Sequence, residues 1–413
     1  MCLAIFAFTL NANAGNNWTK KASFSGTTRL IAASFTIGHY GYVGIGGNDG
    51  FVSGCPASYF TDFYRWNQHN NTWSSIAAYP GNGSFAGISF SIEGYGYAGL
   101  GKTNGVMHND LWKYDTTTNT WSAMATFPGS SRYDASVFVL GHKAYVIGGS
   151  TGGSPYLNDV WVYDAHANTW KQLGNSPTGN TEGAEAFAIG NRGYVGGGWN
   201  SSINQTAFWQ YDTTSDKWTS IAAWPMANGL GGNPKAFVIG SKAYCCNGTS
   251  ASLTTIADGY VYDTVTKAWT VFTNMGANGI ERAYAVAFAV GNYGYMGTGY
   301  DSTGACKNDF WQYYPCSDTL LTSVRSIVPL PGSVRVFPNP SNGMIHISYT
   351  GLPSEISELR IIDMLGRVIE TSVIKGREGN EIINESTVDN GIYFYQVSSN
   401  NKTISTGKLI IVK

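Results

Sequence analysis

Apolar residues in this chain fall in short runs broken by glycine, asparagine and aspartate, the spacing of strands and tight turns rather than of an amphipathic helix. The runs recur in a fixed order. An aromatic-apolar stretch ends in a glycine doublet or near-doublet, an aromatic-rich stretch follows and usually closes in Tyr-Asp, and a tryptophan comes last. One copy reads Ala144-Tyr145-Val146-Ile147-Gly148-Gly149, then Asn158-Asp159-Val160-Trp161-Val162-Tyr163-Asp164, then Trp170. The tryptophans return at Trp18, Trp73, Trp121, Trp170, Trp218 and Trp269, at intervals of 55, 48, 49, 48 and 51 residues. Glycine elements at 41–47, 96–101, 144–149, 193–198, 243–248 and 294–299 make six units. Aromatic-rich elements match them at 62–67, 109–115, 158–164, 207–212, 259–263 and 308–313. In Trp112 and Tyr114 the bulky residues stand two apart, so in a strand they project from one face and fill the space towards a neighbouring unit. Asp115 then suits a turn, its carboxylate accepting from a backbone N–H two residues on.

A repeat of about 50 residues with this content resembles the kelch repeat, in which each unit is one four-stranded blade of a β-propeller. The resemblance implies an all-β ring of six blades. The sixth unit supplies three strands, ending at Trp311-Gln312-Tyr313, and no fourth-strand tryptophan follows Pro315. The missing strand has its signature at the other end, in Asn17-Trp18-Thr19-Lys20-Lys21-Ala22, so the N-terminal strand is expected to complete the last blade and close the ring.

Composition agrees, with only 12% charged residues, 14% aromatics and 52 glycines. A net charge of −1 gives no electrostatic footprint for nucleic acid. No stretch has the length of apolar residues a membrane span needs. Residues 1–14 form an apolar lead ending in the small residues Ala12-Asn13-Ala14, as in a secretory signal, though without a basic start. The propeller is then expected over 15–316, a linker over 317–333, and a second domain, a small Ig-like β-sandwich, over 334–413. Alternating segments, among them 345–349, 359–362, 391–397 and 408–412, are its expected strands. Its motifs run in order: Phe337-Pro338-Asn339-Pro340 with Gly343, Ile362-Asp363-Met364-Leu365-Gly366-Arg367, Gly391-Ile392-Tyr393, and a terminal stretch from Gly407-Lys408 to Lys413. They resemble the type A sorting domain of type IX secretion cargo in Bacteroidetes. The resemblance implies that the secretion machinery is a partner through 334–413, and that the propeller works outside the cell or on its surface.

Without the leader five cysteines remain, and Cys55 and Cys306 fall in corresponding loops of the first and last units, where ring closure would let them form a disulfide. Cys245 and Cys246 read as small buried fillers. The turns at 141–143, 190–192 and 240–242 barely vary, whereas the loops at 48–61, 102–108, 150–157, 199–206 and 300–307 vary in length and content, which marks their face for binding. On that face Arg29, Arg132 and Arg282 each lie nine residues before the glycine of a first turn, with Phe85, Thr181 and Gly231 in the same slot elsewhere. Glu182, Glu185, Glu281, Trp199, Tyr156 and Tyr300 complete a candidate mouth suited to a carboxylated or neutral sugar, or to a peptide. The alternative is that these arginines bond carbonyls and acids between blades. Kelch propellers include a copper-radical alcohol oxidase and a sialic-acid mutarotase. The oxidase needs convergent histidines and tyrosines, whereas here His39 and His142 map to first turns, His69 and His166 to turns between third and fourth strands, and no two histidines are expected to converge. No cofactor or metal is implied. The expectation is a monomeric, non-catalytic binding module for an extracellular glycan or protein, with a carbohydrate-active isomerase or lyase as the competing class.

Overall fold

The computed structural model describes residues 18–50, 52–153, 155–200, 205–225, 233–246, 248–249, 255–256, 258–274, 279–315, 333–337, 339, 341, 344–352, 354–363, 367–384, 388–399 and 402–412. The leader at 1–14, the linker up to 332, Gly231 and Cys316 lie outside them. Two compact units divide at Cys316 and Ser317.

In the first unit, six four-stranded antiparallel sheets form among the described residues, and no helix. Each runs outward in chain order, as in Ala33–Ile37, Tyr40–Gly44, Phe63–Asn67 and Thr72–Ile76. The exception is the last. Val286–Val290, Tyr293–Gly297 and Phe310–Tyr313 are completed by Trp18–Lys21, with Trp18 opposite Tyr313 and Lys21 opposite Phe310.

What presses the sheets together is a repeated wedge. The middle residue of every innermost strand is a phenylalanine (Phe35, Phe90, Phe138, Phe187, Phe237 and Phe288), and each lies opposite and packs against a second-strand tyrosine of its own sheet, with ring centroids 4.9–5.8 Å apart. The other side of the ring bears on the next sheet. A Cβ added at Gly96 would collide with Phe35, at Gly193 with Phe138, at Gly294 with Phe237 and, across the seam, at Gly41 with Phe288. Sheets three and five carry Ala144 and Ala243 at that place, so one methyl is the most the joint takes. Small residues here let sheets converge on an axis.

At the rim the periodic tryptophans act as latches. Trp73 donates its indole N–H to Ala22 O, Trp121 to Ala77 O, Trp170 to Ala125 O and Trp269 to Ala222 O, each on the preceding sheet's outer strand or just beyond it. In return Ala22, Ala77 and Ala125 donate N–H groups to Asn71, Asn119 and Asn168. Ala22 thus occupies the place that Ala77 and Ala125 hold elsewhere, which makes the N-terminal strand the fourth strand of the last sheet. Asp115 accepts from the Thr117 N–H at 2.7 Å and shapes the turn before Trp121.

The second unit pairs a three-stranded sheet (Ser333–Phe337, Met344–Thr350, Gly379–Asn384) with a four-stranded one (Val368–Lys375, Ile356–Asp363, Gly391–Ser399, Lys402–Ile411). Its core takes alternate residues, among them Ile345, Ile347, Leu359, Ile361, Val397 and Leu409. Three further strands, at Ser333–Phe337, Val368–Lys375 and Gly379–Asn384, stand beside the four segments expected from the apolar alternation; Val334 and Val336 of the first pack against the core, whereas the second is mostly exposed. Asn339 of the Phe-Pro-Asn-Pro motif ties the unit's start to its end, donating to Lys408 O and accepting from the Ile410 N–H at 2.9 Å.

Gly41→Val places a branched side chain against Phe288 at the seam and is expected to cost about 1–3 kcal/mol in urea unfolding. Ala144→Gly, which only vacates a methyl, should cost less; equal costs would reject the wedge.

Candidate functional site

The segment before each innermost strand enters the mouth of the ring through a tight bend. Ile31, Ala86, Asp134, Gly183, Asn233 and Tyr284 all have positive φ, between 45° and 62°. Two residues upstream, a backbone carbonyl accepts from the preceding sheet: Gly46 donates to Ser84, Gly101 to Arg132, Gly149 to Thr181, Gly248 to Arg282 and Gly299 to Arg29. This ladder corrects one placement. Ser84, not Phe85, shares the slot of the three arginines, because the second sheet's first turn begins at Glu93, one residue before its glycine.

The arginines themselves do not reach into the mouth. Arg29, Arg132 and Arg282 are 0–1% exposed. Arg29 forks onto Asp62 at 2.6 and 2.9 Å and also donates to Thr27 O and Ile45 O. Arg132 repeats the arrangement on Asp159 at 2.6 and 2.8 Å, with Ser130 O and Gly148 O. Arg282 pairs with Asp309 and donates to the Glu281 carbonyl. Burial pushes the Asp159 carboxyl up, but the hydrogen bonds and charge of Arg132 outweigh it and hold it below the usual carboxylate range. These forks pin the bend to the third strand of the same sheet. In the second sheet, where serine replaces arginine, Asp110 accepts instead from the Tyr79 hydroxyl and the Trp112 indole.

What the mouth does present is a pair of carboxyls among tyrosines. Glu182 is bonded by the hydroxyls of Tyr156, Ser150 and Tyr133, yet burial still raises its pKa, and its Oε2 is buried without a partner. Asp134 is pushed up to about 7, first by burial and then by the charge of Glu182; the Asn233 amide bonds it, while its Oδ1 is buried and unpartnered. Tyr284 feels both carboxyls, and its ring stands 5.8 Å from that of Tyr300. Two lysines act on these carboxyls: Lys235, whose charge works against the rise at Asp134, and Lys102, which pairs with Asp49 at 2.6 Å and lies 4.5 Å over Tyr133.

Of the expected residues, Glu182 and Tyr156 therefore meet at the mouth, whereas Tyr300 touches neither carboxyl and packs on Tyr284. Trp199 is bridged to Glu182 through the backbone, and Glu281 accepts from Ser302 at its Oε1. Glu185 lies deeper, in a central channel of about 460 Å³ walled by the innermost strands, where it takes the Ala236 N–H at 2.7 Å and burial lifts its pKa to about 7. Asp134, Asn233, Tyr133 and Tyr284 carry no motif; their only signal is the position two residues after the arginine slot, or one in the case of Tyr133. The expectation that no histidines converge is corrected: His39 packs on His69 at 4.6 Å and His142 on His166 at 4.3 Å, both at the opposite end of the sheets. Neither pair gathers a third ligand, and no group that could hold a metal occurs among the described residues. Cys55 and Cys306 are joined by a disulfide, Cα–Cα 5.0 Å, between loops of the first and last sheets, and Cys245 and Cys246 are buried and free.

Residues 95–230 match the model of the KLHDC2/KLHL20/DRC7 kelch-repeats domain, and residues 335–413 that of the secretion system C-terminal sorting domain. The chain carries a kelch-repeat propeller and a type IX secretion sorting tail. The tail directs the kelch protein to the cell surface or the exterior. A solved structure described as that of YjhT is similar to this chain with a TM-score of 0.60 and 17% identity, over 71% of this chain and 97% of that one, which shows the fold of the propeller. No curated protein matches in sequence. Among the described residues no helix is long and apolar enough to cross a membrane.

Asp134 and Glu185 ionise near pH 7 in the folded kelch protein and near 4 when unfolded. Between those values the folded chain holds protons that the unfolded chain has released, so these two groups favour folding increasingly as pH falls from about 7 towards 4. Urea unfolding of Glu185→Gln should show a flatter pH dependence from pH 7.5 to 5 than the parent; parallel curves would contradict the raised carboxyl.

Proposed function

We propose that the propeller is the working part of a secreted binding protein and that it holds a neutral sugar unit of an extracellular glycan at the mouth. One observation carries this reading: Asp134 and Glu182 keep a buried oxygen without a partner among Tyr133, Tyr156 and Tyr284, ready to accept once a ligand opens the site, while all three mouth-side arginines are paired with aspartates inside their own sheets. Carboxyl oxygens accept from vicinal hydroxyls, and tyrosine rings offer faces to the C–H side of a pyranose. An acidic sugar finds no free guanidinium here, so the carboxylated ligand that the arginines suggested is set aside. A peptide remains the competing ligand, since backbone amides also donate to carboxyls.

A second reading rests on the raised acidity constants. An Asp134 that is half-protonated near neutral pH and feels the charge of Glu182 provides a proton donor and an acceptor in one site, the pairing that a carbohydrate isomerase or lyase requires.

The full chain is expected to bind neutral glycans on an array, with Asp134→Asn and Glu182→Gln each lowering affinity at least about tenfold, the loss expected for an unpaired polar contact. Retained binding in both variants would reject the carboxyl pair as the ligand contact. Proton spectra of the bound sugar then separate the two readings: an unchanged ligand supports binding alone, and anomer exchange or cleavage that Asp134→Asn abolishes supports chemistry.

A further inference from the structure

Beside the carboxyl pair, at the seam of the ring, lies a cavity of about 520 Å³, in the range of small-molecule sites. Its walls are Tyr284 and Tyr300 on the last sheet's side and two loops that meet across the closure, with Ser53 and Thr303 supplying hydroxyls. Tyr284 belongs to both places: it lines the cavity and interacts with Asp134 and Glu182. A ligand seated on the carboxyls has this cavity as its neighbour.

The loops are built to keep their shape. Asn48 is 2% exposed and organises the first: its amide donates to Val52 O at 2.8 Å and Cys55 O at 3.0 Å, while its Oδ1 accepts from the Gly50 and Val52 N–H groups. Asp301 does the same for the second, its Oδ1 accepting from the N–H groups of Thr303 and Ala305 and from the Thr303 hydroxyl, with Lys307 on the other oxygen. The loops then join each other. Gly54 bridges to Ala305, a Cβ at Gly54 would strike the Gly304 carbonyl, and the Cys55–Cys306 disulfide fixes the contact one residue on. Rigid walls on both sides remove the ordering cost that a mobile loop would charge to a ligand.

We infer that the seam cavity is a second sugar subsite, in which the paired faces of Tyr284 and Tyr300 receive the pyranose adjoining the one held by Asp134 and Glu182, so that the mouth selects an oligosaccharide over a monosaccharide. This rests on the mouth being a carbohydrate site, as proposed above. The disulfide is a positioning element: it touches no ligand and keeps the two loops at the spacing of one ring.

Calorimetry on the full chain tests it with mono- to tetrasaccharides of glucose, galactose, mannose and N-acetylglucosamine. In whichever series binds, affinity should rise at least tenfold from one unit to two or three. Tyr300→Ala should abolish that rise while leaving the monosaccharide affinity within twofold, Tyr300→Phe should restore it, and the double variant Cys55→Ser/Cys306→Ser should reduce it. Affinity independent of length, or a rise that survives Tyr300→Ala, overturns the seam subsite and leaves the mouth reading standing. A failure of every series to bind overturns both.

Discussion

The ring holds because its first strand is its last. Trp18–Lys21 pairs with Phe310–Tyr313, Trp73 latches onto Ala22, and Phe288 presses on Gly41, so strand pairing, rim and wedge all repeat at the seam what they do at the other joints. Without that strand the last sheet would expose an open edge of unpaired N–H and C=O groups. The six innermost strands also need the closure to face one another, since five joints alone leave a sheet stack free to splay. The mouth follows from this geometry. Among the described residues, five of its bends are hung from the preceding sheet by the same backbone hydrogen bond. The Cys55–Cys306 disulfide, with a sequence separation of 251 residues, lies at the same seam and is chemistry suited to an exported protein.

Buried ion pairs complete the scaffold rather than the site. Arg29 and Arg132 each bond an aspartate with both guanidinium nitrogens and two backbone carbonyls besides, and Arg282 is held by Asp309. The carboxyls at the mouth are the reverse case. Glu182 has three hydroxyl donors and Asp134 one amide, and although the charges of Lys102 and Lys235 work the other way, burial leaves both carboxyls harder to ionise than in water. Unspent hydrogen-bonding capacity in a rigid, ring-lined opening is what a ligand can use.

Much of this was legible in the chain. The tryptophan period gave the units, and the displaced Trp18 segment gave the closure, because outer strands carry a bulky residue at a fixed place. The tail was legible from ordered motifs. Side-chain direction was not. Arg132 is separated from Asp159 by 27 residues and Arg29 from Asp62 by 33, a relation visible only once the third strand is folded beside the bend. A one-residue difference between the turns at Gly38 and Glu93 shifted Phe85 into a slot that belongs to Ser84. Asp134 escaped notice because a bend residue with positive φ leaves no periodic trace; six such bends have six different residue types, apolar, acidic and aromatic alike. The phenylalanine wedges were a missed signal that a search at the same period would have shown.

Closure by the N-terminal strand is the claim on which the mouth, the seam and the sugar reading all stand. Hydrogen exchange on a chain beginning at Ser23 tests it directly. The amides of Phe310–Tyr313 should lose protection, whereas those of the third sheet, on the far side of the ring, should keep more of theirs. Unchanged protection at Phe310–Tyr313 would contradict it.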